Sequence, residues 1–200
     1  MSNKISAAVI GANGYSGEEL VRILLSHPSV HLAAVTSRQH AGKALEQVFP
    51  RFAGRPGAAM AFTNSAPDEI ARIPADFFFL ALPHGVAAEF ALPLLHAGKR
   101  VIDISADFRL RDAGVYEEFY GHKHPAPDLL AEAVYGLPEF YATEIEHARI
   151  VAAPGCYPTS ILLPLLPLLR AGLLETTGIC AGSASGTSGA GRKADETLLY

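Results

Sequence analysis

The sequence predicts an α/β fold built on a parallel β-sheet. In the first half of the chain, short apolar runs typical of strands alternate with longer amphipathic segments typical of helices. This alternation produces right-handed βαβ units, whose strands lie parallel. The chain has 200 residues, half of them hydrophobic. At roughly 150 residues per domain, that is enough for one large domain or a domain and a half.

The elements follow from their apolar patterns. Strands are predicted at 5–10, 31–36, 58–63, 76–82, 101–104, 150–153 and 178–183. The run 76–82, with three consecutive phenylalanines, is typical of a strand buried on both faces. Helices are predicted at 16–26, 65–73, 85–97 and 158–171. Ser16 and Glu19 have the spacing of a capping box at the start of the first helix.

The pattern changes in the second half of the chain. From about residue 107 it loosens into a loop-rich stretch containing several tyrosines and prolines. A change of composition near 145–155 predicts a domain boundary, with a first domain at 1–152 and the start of a second at 153–200. Because the sequence ends at 194–200 within an opening helical pattern, we expect this second domain to be incomplete.

The composition argues against several functional classes. With only 18% charged residues the chain is not a disordered one, and its net charge of −4 argues against nucleic-acid binding. The longest apolar stretch, 161–169, has nine residues including two prolines, so no membrane span is expected. None of the eight histidines has metal-ligand spacing with a partner, so no metal site is predicted. Two cysteines and no export signal indicate the reducing cytoplasm.

A glycine loop separates the first predicted strand from the first helix. Its spacing, GxxGxxG over 11–17, follows a strand and opens a helix, so the backbone can approach a pyrophosphate at the helix N-terminus. This indicates a Rossmann-type dinucleotide site. The predicted cofactor-binding residues here are Gly11, Asn13, Gly14, Tyr15, Ser16 and Gly17. The alternative is a tight turn that only packs the helix closely on the sheet.

The end of the second strand indicates which dinucleotide binds. An NAD site usually places an acidic residue there for the ribose 2′-hydroxyl, but this strand is followed by Ser37 and Arg38. Arg38 can pair with a 2′-phosphate while Ser37 donates a hydrogen bond. NADP is therefore the predicted cofactor, and the alternative for Arg38 is a solvated surface charge.

Cys156 lies on a predicted strand-to-helix turn, with Pro158 in the first helical turn. A helix N-terminus favours the thiolate form of cysteine, which is the nucleophile. Cys156 is therefore the candidate catalytic residue. Cys180, in the predicted strand 178–183, fits the usual pattern of a buried and inert free cysteine.

Loops after two central strands are further candidates for the site. One of them ends at Leu82 and is followed by Pro83 and His84, where a nicotinamide could lie, although His84 could serve only to shape its loop. Arg109 follows the next, at the sheet edge where α/β proteins bind ligands, and is a candidate clamp for a substrate carboxylate or phosphate. The alternative is a surface ion pair between Asp107 and Arg109.

A second loop, 185–192, is rich in glycine and hydroxyl groups. Its amides could form an anion-binding nest, or the loop could be a flexible linker. The predicted cofactor contacts here are Ser188 and Gly189. The predicted substrate contacts are Ser185 and Arg192 in this loop, together with Ser105 and Arg109.

Six motifs, in order along the chain, closely resemble the N-acetyl-gamma-glutamyl-phosphate reductase family. They lie at 11–17, 79–85, 103–109, 135–139, 154–159 and 185–192 and span essentially the whole chain. The last two are quite specific to this family and are less like aspartate-semialdehyde dehydrogenase. The resemblance implies an NADP-binding Rossmann-type domain, followed by the start of an α+β catalytic domain of the glyceraldehyde-3-phosphate-dehydrogenase type.

The resemblance also implies an activity: NADPH-dependent reduction of N-acetyl-gamma-glutamyl phosphate to N-acetylglutamate 5-semialdehyde and phosphate, in arginine biosynthesis. Cys156 would form a thioester intermediate. The family's general-base histidine lies beyond the second glycine loop, so we expect this chain alone to be inactive, and a full-length form to be a dimer or tetramer. The alternatives are a related reductase of carrier-linked aminoadipyl phosphate or of aspartyl phosphate, and a non-catalytic dinucleotide-binding module.

Overall fold

Six parallel strands form one sheet at the centre of the molecule. The structure is a computed structural model and describes residues 4–192. The strands are β1 (Ile5–Ile10), β2 (Val30–Val35), β3 (Phe77–Leu80), β4 (Arg100–Asp103), β5 (Val134–Tyr135) and β6 (Ile150–Ala152). Their order across the sheet is β2-β1-β3-β4-β6-β5, and every pair is parallel. The predicted α/β fold with a parallel sheet is confirmed. β2 and β3 lie on opposite sides of β1, so the chain changes direction there, as it does at ligand sites of α/β sheets.

Seven α-helices accompany the sheet in the described part of the chain. They are α1 (Tyr15–Leu25), α2 (Leu45–Val48), α3 (Pro67–Ile70), α4 (Ala87–His96), α5 (Ala113–Tyr120), α6 (Pro138–His147) and α7 (Cys156–Arg170). Short 3-10 turns lie at Pro50–Phe52, Pro127–Leu129 and Thr187–Ala190. No described helix has both the length and the apolar character needed to cross a membrane.

Both faces of the sheet contact apolar residues, because neighbouring residues along a strand point to opposite sides. On one face Val9 packs with Val21 of α1 and with Phe62, and all three are buried. On the other face Ile10 packs with Phe78 and with residues of α4. The two cores hold the carboxyl ends of the strands at one common edge.

Two predicted strands are absent from the described structure. The backbone of 58–62 bonds to residues 42–46, and Thr63 bonds to Val35 at the end of β2 and to Ser37. Only single bridges result, at Thr36–Thr63 and Ala44–Ala61. The segment 178–183 is exposed and pairs with no described strand, and a strand needs a partner for its backbone groups. The helix predicted over 194–200 lies outside the described residues.

The stretch predicted to be loop-rich contains α5, α6 and the short strand β5. Asp112 caps α5 by accepting a hydrogen bond from the Val115 amide at 2.8 Å, and Pro138 occupies the first turn of α6. Both helices are short, and the described α6 buries none of its residues fully. Their apolar periodicity was therefore too weak to indicate a helix.

Candidate active site

The glycines of the first loop have different roles. Gly11 has φ +81°, and a Cβ there would lie 2.5 Å from the Ala81 carbonyl oxygen. A Cβ on Gly17 would lie 2.7 Å from the Gly11 carbonyl oxygen. Both glycines are thus needed for close packing. A Cβ on Gly14 would meet only the Gly11 oxygen, at 3.9 Å, so the loop is open on that side. Packing alone therefore explains Gly11 and Gly17 but not Gly14.

The first turn of α1 has no side-chain cap. Its N-cap residue is Gly14, so the capping box predicted from Ser16 and Glu19 is wrong. Glu19 instead accepts a hydrogen bond from Arg22 Nε at 2.7 Å. The uncapped amides and the positive end of the helix dipole are suited to an anion, and the open side of Gly14 leaves room for a pyrophosphate. The residues of this loop therefore fit a dinucleotide.

The turn after β2 is tied to the glycine loop. The Thr36 hydroxyl accepts a hydrogen bond from the Gly11 amide at 3.1 Å, and the Thr36 carbonyl accepts one from Ala12 at 2.9 Å. Ser37 is buried, and its hydroxyl accepts a hydrogen bond from the His40 amide at 3.3 Å. Arg38 is exposed and forms no ion pair with the carboxylates of residues 4–192. Sequence reasoning missed Thr36, although its hydroxyl ends a strand beside the glycine loop.

The loop after β3 lies against the glycine loop. The Leu82 Cδ2 would be 2.9 Å from a Cβ on Gly11, so the two segments are in contact. Pro83 and His84 are exposed, and the His84 ring centroid lies 6.0 Å from that of Tyr120. The structure thus places the predicted residues Leu82, Pro83 and His84 at the edge that carries the glycine loop.

Asp107 and Arg109 bind different partners, so the alternative of a surface ion pair between them is wrong. Asp107 is buried and accepts hydrogen bonds from the amides of Gly85 (2.6 Å) and Ala88 (3.0 Å). Arg109 donates from Nε to the Ala153 carbonyl (2.8 Å) and from Nη2 to the Ile104 carbonyl (3.0 Å). Arg109 therefore joins the ends of β4 and β6.

Ser105 belongs to a buried network beneath this edge. Its hydroxyl donates to Asp103 Oδ2 at 2.9 Å and accepts from the Asp107 amide at 3.1 Å. Burial raises the pKa of Asp103 to about 6, against the opposing effect of the Ser105 hydrogen bonds. The contacts of Ser105 indicate that it positions the loop, and its predicted contact with substrate stays a prediction.

Cys156 is the first residue of α7 and is exposed. Gly155 is the N-cap and no side chain caps the turn, so the first amides of α7 have no side-chain partner. A Cβ on Gly155 would lie 3.2 Å from Arg109 Nη1, which places the guanidinium beside this turn. Cys180 is also exposed and lies outside any described strand, so the expectation of a buried strand cysteine is wrong.

A cavity of about 430 Å³ shares Arg109 with the Cys156 turn. Its lining includes Arg111, Tyr135, Tyr141 and Glu144. Burial raises the pKa of Tyr135, and the nearby Arg109 charge acts in the opposite direction. Sequence reasoning missed this cavity because its tyrosines lie in the stretch predicted to be loop-rich.

The second glycine loop contacts α1. A Cβ on Gly189 would lie 2.5 Å from the Ser185 hydroxyl oxygen, so the turn that includes Ser188 is compact. The Arg192 guanidinium lies 4.4 Å from the Tyr15 ring centroid and pairs with Glu18. Arg192 therefore lies beside the first glycine loop, and these contacts do not place it next to Arg109 or Cys156. Its predicted contact with substrate stays a prediction. Among the described residues, no three metal-ligating side chains lie together.

Fold and site together define a dinucleotide-binding α/β domain, followed by a helix that begins with an exposed cysteine. The chain belongs to the semialdehyde dehydrogenase family. The family model described as semialdehyde dehydrogenase, NAD binding domain, matches residues 6–148. The model described as the dimerisation domain of the same family matches residues 156–200.

Curated relatives confirm the resemblance found in the motifs. N-acetyl-gamma-glutamyl-phosphate reductase of Akkermansia muciniphila is 58% identical over 197 residues, which are 98% of this chain and 57% of the relative. The protein of that name from Desulfotalea psychrophila is 52% identical over 196 residues, covering 98% of this chain and 56% of the relative. The chain thus spans little more than half the length of these relatives.

Solved structures of similar fold include aspartate semialdehyde dehydrogenases. The Candida albicans enzyme with NADP matches 85% of this chain and 48% of its own, with a TM-score of 0.62 and 17% identity. The Vibrio cholerae enzyme II complexed with ASA matches 96% of this chain and 49% of its own, with a TM-score of 0.63 and 18% identity. At these identities the likeness concerns the fold alone.

Proposed function

We propose that this chain is the cofactor-binding part, with the nucleophile, of an NADP-dependent reductase of N-acetyl-gamma-glutamyl phosphate. One observation carries the proposal: exposed Cys156 starts α7 beside Arg109, at the sheet edge that also holds the open side of Gly14. The names of the curated relatives support the choice of substrate.

The geometry suggests how the chain's own residues act. The Cys156 thiolate attacks the acyl carbon, and the carbon–oxygen bond to phosphate breaks, giving a thioester and inorganic phosphate. Arg109, beside this turn, attracts the negative charge of the substrate. A reduced nicotinamide, when bound, would supply a hydride to the thioester carbon. Cleavage of the carbon–sulfur bond would then release the aldehyde and restore the Cys156 thiolate.

The reverse reaction tests the proposal. A chain extended to the length of the relatives is expected to reduce NADP with N-acetylglutamate semialdehyde only when phosphate is present. Aspartate semialdehyde serves as the comparison substrate. Turnover on aspartate semialdehyde alone would overturn the assigned substrate. NADPH binding without turnover on any semialdehyde would favour the non-catalytic module.

The Arg38→Ala variant tests the choice of NADP. We expect NADPH affinity to fall about 10-fold or more while NADH affinity changes little, because a hydrogen bond between charged groups contributes roughly 1.5–3 kcal/mol. Fluorescence titration of both cofactors measures this. Arg55→Ala removes another exposed arginine and is the matched control. Equal losses for NADPH and NADH would show that Arg38 does not bind the 2′-phosphate.

The Gly14→Ala variant tests the phosphate cradle. Because a Cβ there meets only one atom, at 3.9 Å, the variant is expected to fold with a melting temperature close to that of the parent chain. The methyl group would occupy the space for the pyrophosphate, so NADPH affinity should fall about 10-fold or more. Gly182→Ala, whose Cβ would meet nothing within 4 Å, is the control. Unchanged affinity in Gly14→Ala would place the pyrophosphate elsewhere.

Domain organisation, assembly and location are proposed with the activity. The boundary lies between residues 152 and 153, and the full-length protein is a dimer or tetramer. The match of residues 156–200 to a dimerisation domain supports this assembly. A cytoplasmic location is supported by Cys156 and Cys180, which are both exposed and unpaired in the described chain.

A further inference from the structure

The loop after β4 lies between the two halves of the proposed site. In the sheet, β4 has β3 on one side and β6 on the other. The loop after β3 belongs to the cofactor half, and the turn after β6 carries Cys156. Because carboxyl ends of parallel strands share one edge, the loop over 104–109 can contact both neighbours.

Two residues of this loop reach in opposite directions. Arg109 binds the Ala153 carbonyl at 2.8 Å, on the nucleophile side. Asp107 binds the amides of Gly85 at 2.6 Å and Ala88 at 3.0 Å, on the cofactor side. One short, buried segment therefore links the two halves.

Asp107 caps α4 from a different part of the chain. The α4 helix has no cap from its own N-cap residue, Val86, so the carboxylate of Asp107 satisfies amides that its neighbours leave open. The Tyr116 hydroxyl lies 3.4 Å from Asp107 and 3.2 Å from His122 Nε2. A Cβ on Gly85 would lie 3.2 Å from the same His122 nitrogen, so the loop is held from two sides.

We propose that Asp107 is a positioning residue: it fixes the cofactor-side loop 83–85 relative to Arg109 and the Cys156 turn. The inference rests on the proposed function. Asp107 touches no reacting group, and it acts through the backbone of Gly85 and Ala88. The hydrogen bonds to its two carboxylate oxygens fix the distance between the loop 83–85, on the cofactor side, and the Cys156 turn.

The Asp107→Asn variant of this chain tests the proposal. Asparagine keeps one acceptor and points an NH2 group at the other amide, so one hydrogen bond is lost. We expect NADPH affinity to fall about 10-fold or more, and backbone hydrogen exchange over 83–88 to become about 10-fold faster, while thermal unfolding stays cooperative. Asp112→Asn is the matched control, because Asp112 also caps a helix, by its bond to Val115, and lies outside the proposed site. Its NADPH affinity should stay within about twofold of the parent value.

The outcomes separate this inference from the proposed function. If hydrogen exchange over 83–88 becomes faster in Asp107→Asn but NADPH affinity is unchanged, the positioning role is overturned. Unchanged hydrogen exchange in this variant overturns it as well. Neither result contradicts the proposed function. Failure of the parent chain to bind NADPH contradicts the proposed cofactor itself. If Asp107→Asn does not fold, Asp107→Glu keeps the charge and both acceptors and lengthens the side chain by one methylene. Its NADPH affinity should fall at least about threefold, and an unchanged value overturns the inference.

Discussion

Replacing Cys156 by serine is expected to lower NADPH-dependent turnover at least ~1,000-fold, in a chain extended to the length of the curated relatives. Loss of a nucleophile that forms a covalent intermediate removes the reaction path itself, and comparable losses in other enzymes reach about a million-fold. Steady-state oxidation of NADPH with the acyl phosphate measures the effect. NADPH affinity should be unchanged, because the open Gly14 loop lies on the cofactor side of the site.

Cys180 is the matched control for this experiment. It is exposed like Cys156 but lies in a segment without a helix or strand, whereas Cys156 is the first residue of α7. Cys180→Ser should retain turnover within about twofold. In the chain of 200 residues, iodoacetamide should modify Cys156 faster than Cys180 at pH 7. Equal rates, or substantial turnover by Cys156→Ser, would contradict the assignment of the nucleophile.

Replacing Asp103 by asparagine is expected to change how stability depends on pH. Burial raises the pKa of Asp103 from 3.8 to about 6, so the folded state holds this proton more tightly than the unfolded state. The stability this proton provides is complete below pH 3.8 and is lost as the pH rises through 6. The difference between the two pKa values corresponds to a decrease in the free energy of unfolding on the order of 3 kcal/mol between pH 4 and 7.

Urea unfolding of the parent chain and Asp103→Asn at several pH values measures this effect. Asparagine carries no proton to lose, so its stability relative to the parent should rise by that amount from pH 4 to 7. Asp128→Asn, at an exposed carboxylate, is the control and should show no such trend. A constant difference between Asp103→Asn and the parent across this range would show that the buried carboxylate titrates as an exposed one does.

Much of the fold and part of the site could be predicted from local patterns. Five strands, β1 to β4 and β6, were found because their short, mainly apolar runs alternate with amphipathic segments, and α1 and α4 because their apolar residues recur at helical spacing. The segment 58–63 has the composition of a strand, yet it bonds mainly to residues 42–46, and only Thr63 bonds to a sheet strand, at Val35. Composition does not indicate which backbone will offer a partner.

The sequence by itself determined the α/β class, the glycine loop before α1 and the cysteine at the start of a helix. The glycine loop and the cysteine turn each depend on residues less than about ten positions apart, whose conformations local sterics and capping control. The α/β class follows from the alternation of such local patterns along the chain. Only the tertiary structure decided that Gly14 is open while Gly11 and Gly17 are packed. It also decided that Asp107 binds Gly85, 22 positions away, and that Arg109 binds Ala153, 44 positions away. These contacts depend on which strands become neighbours in the sheet, and strand order arises from the packing of the whole chain.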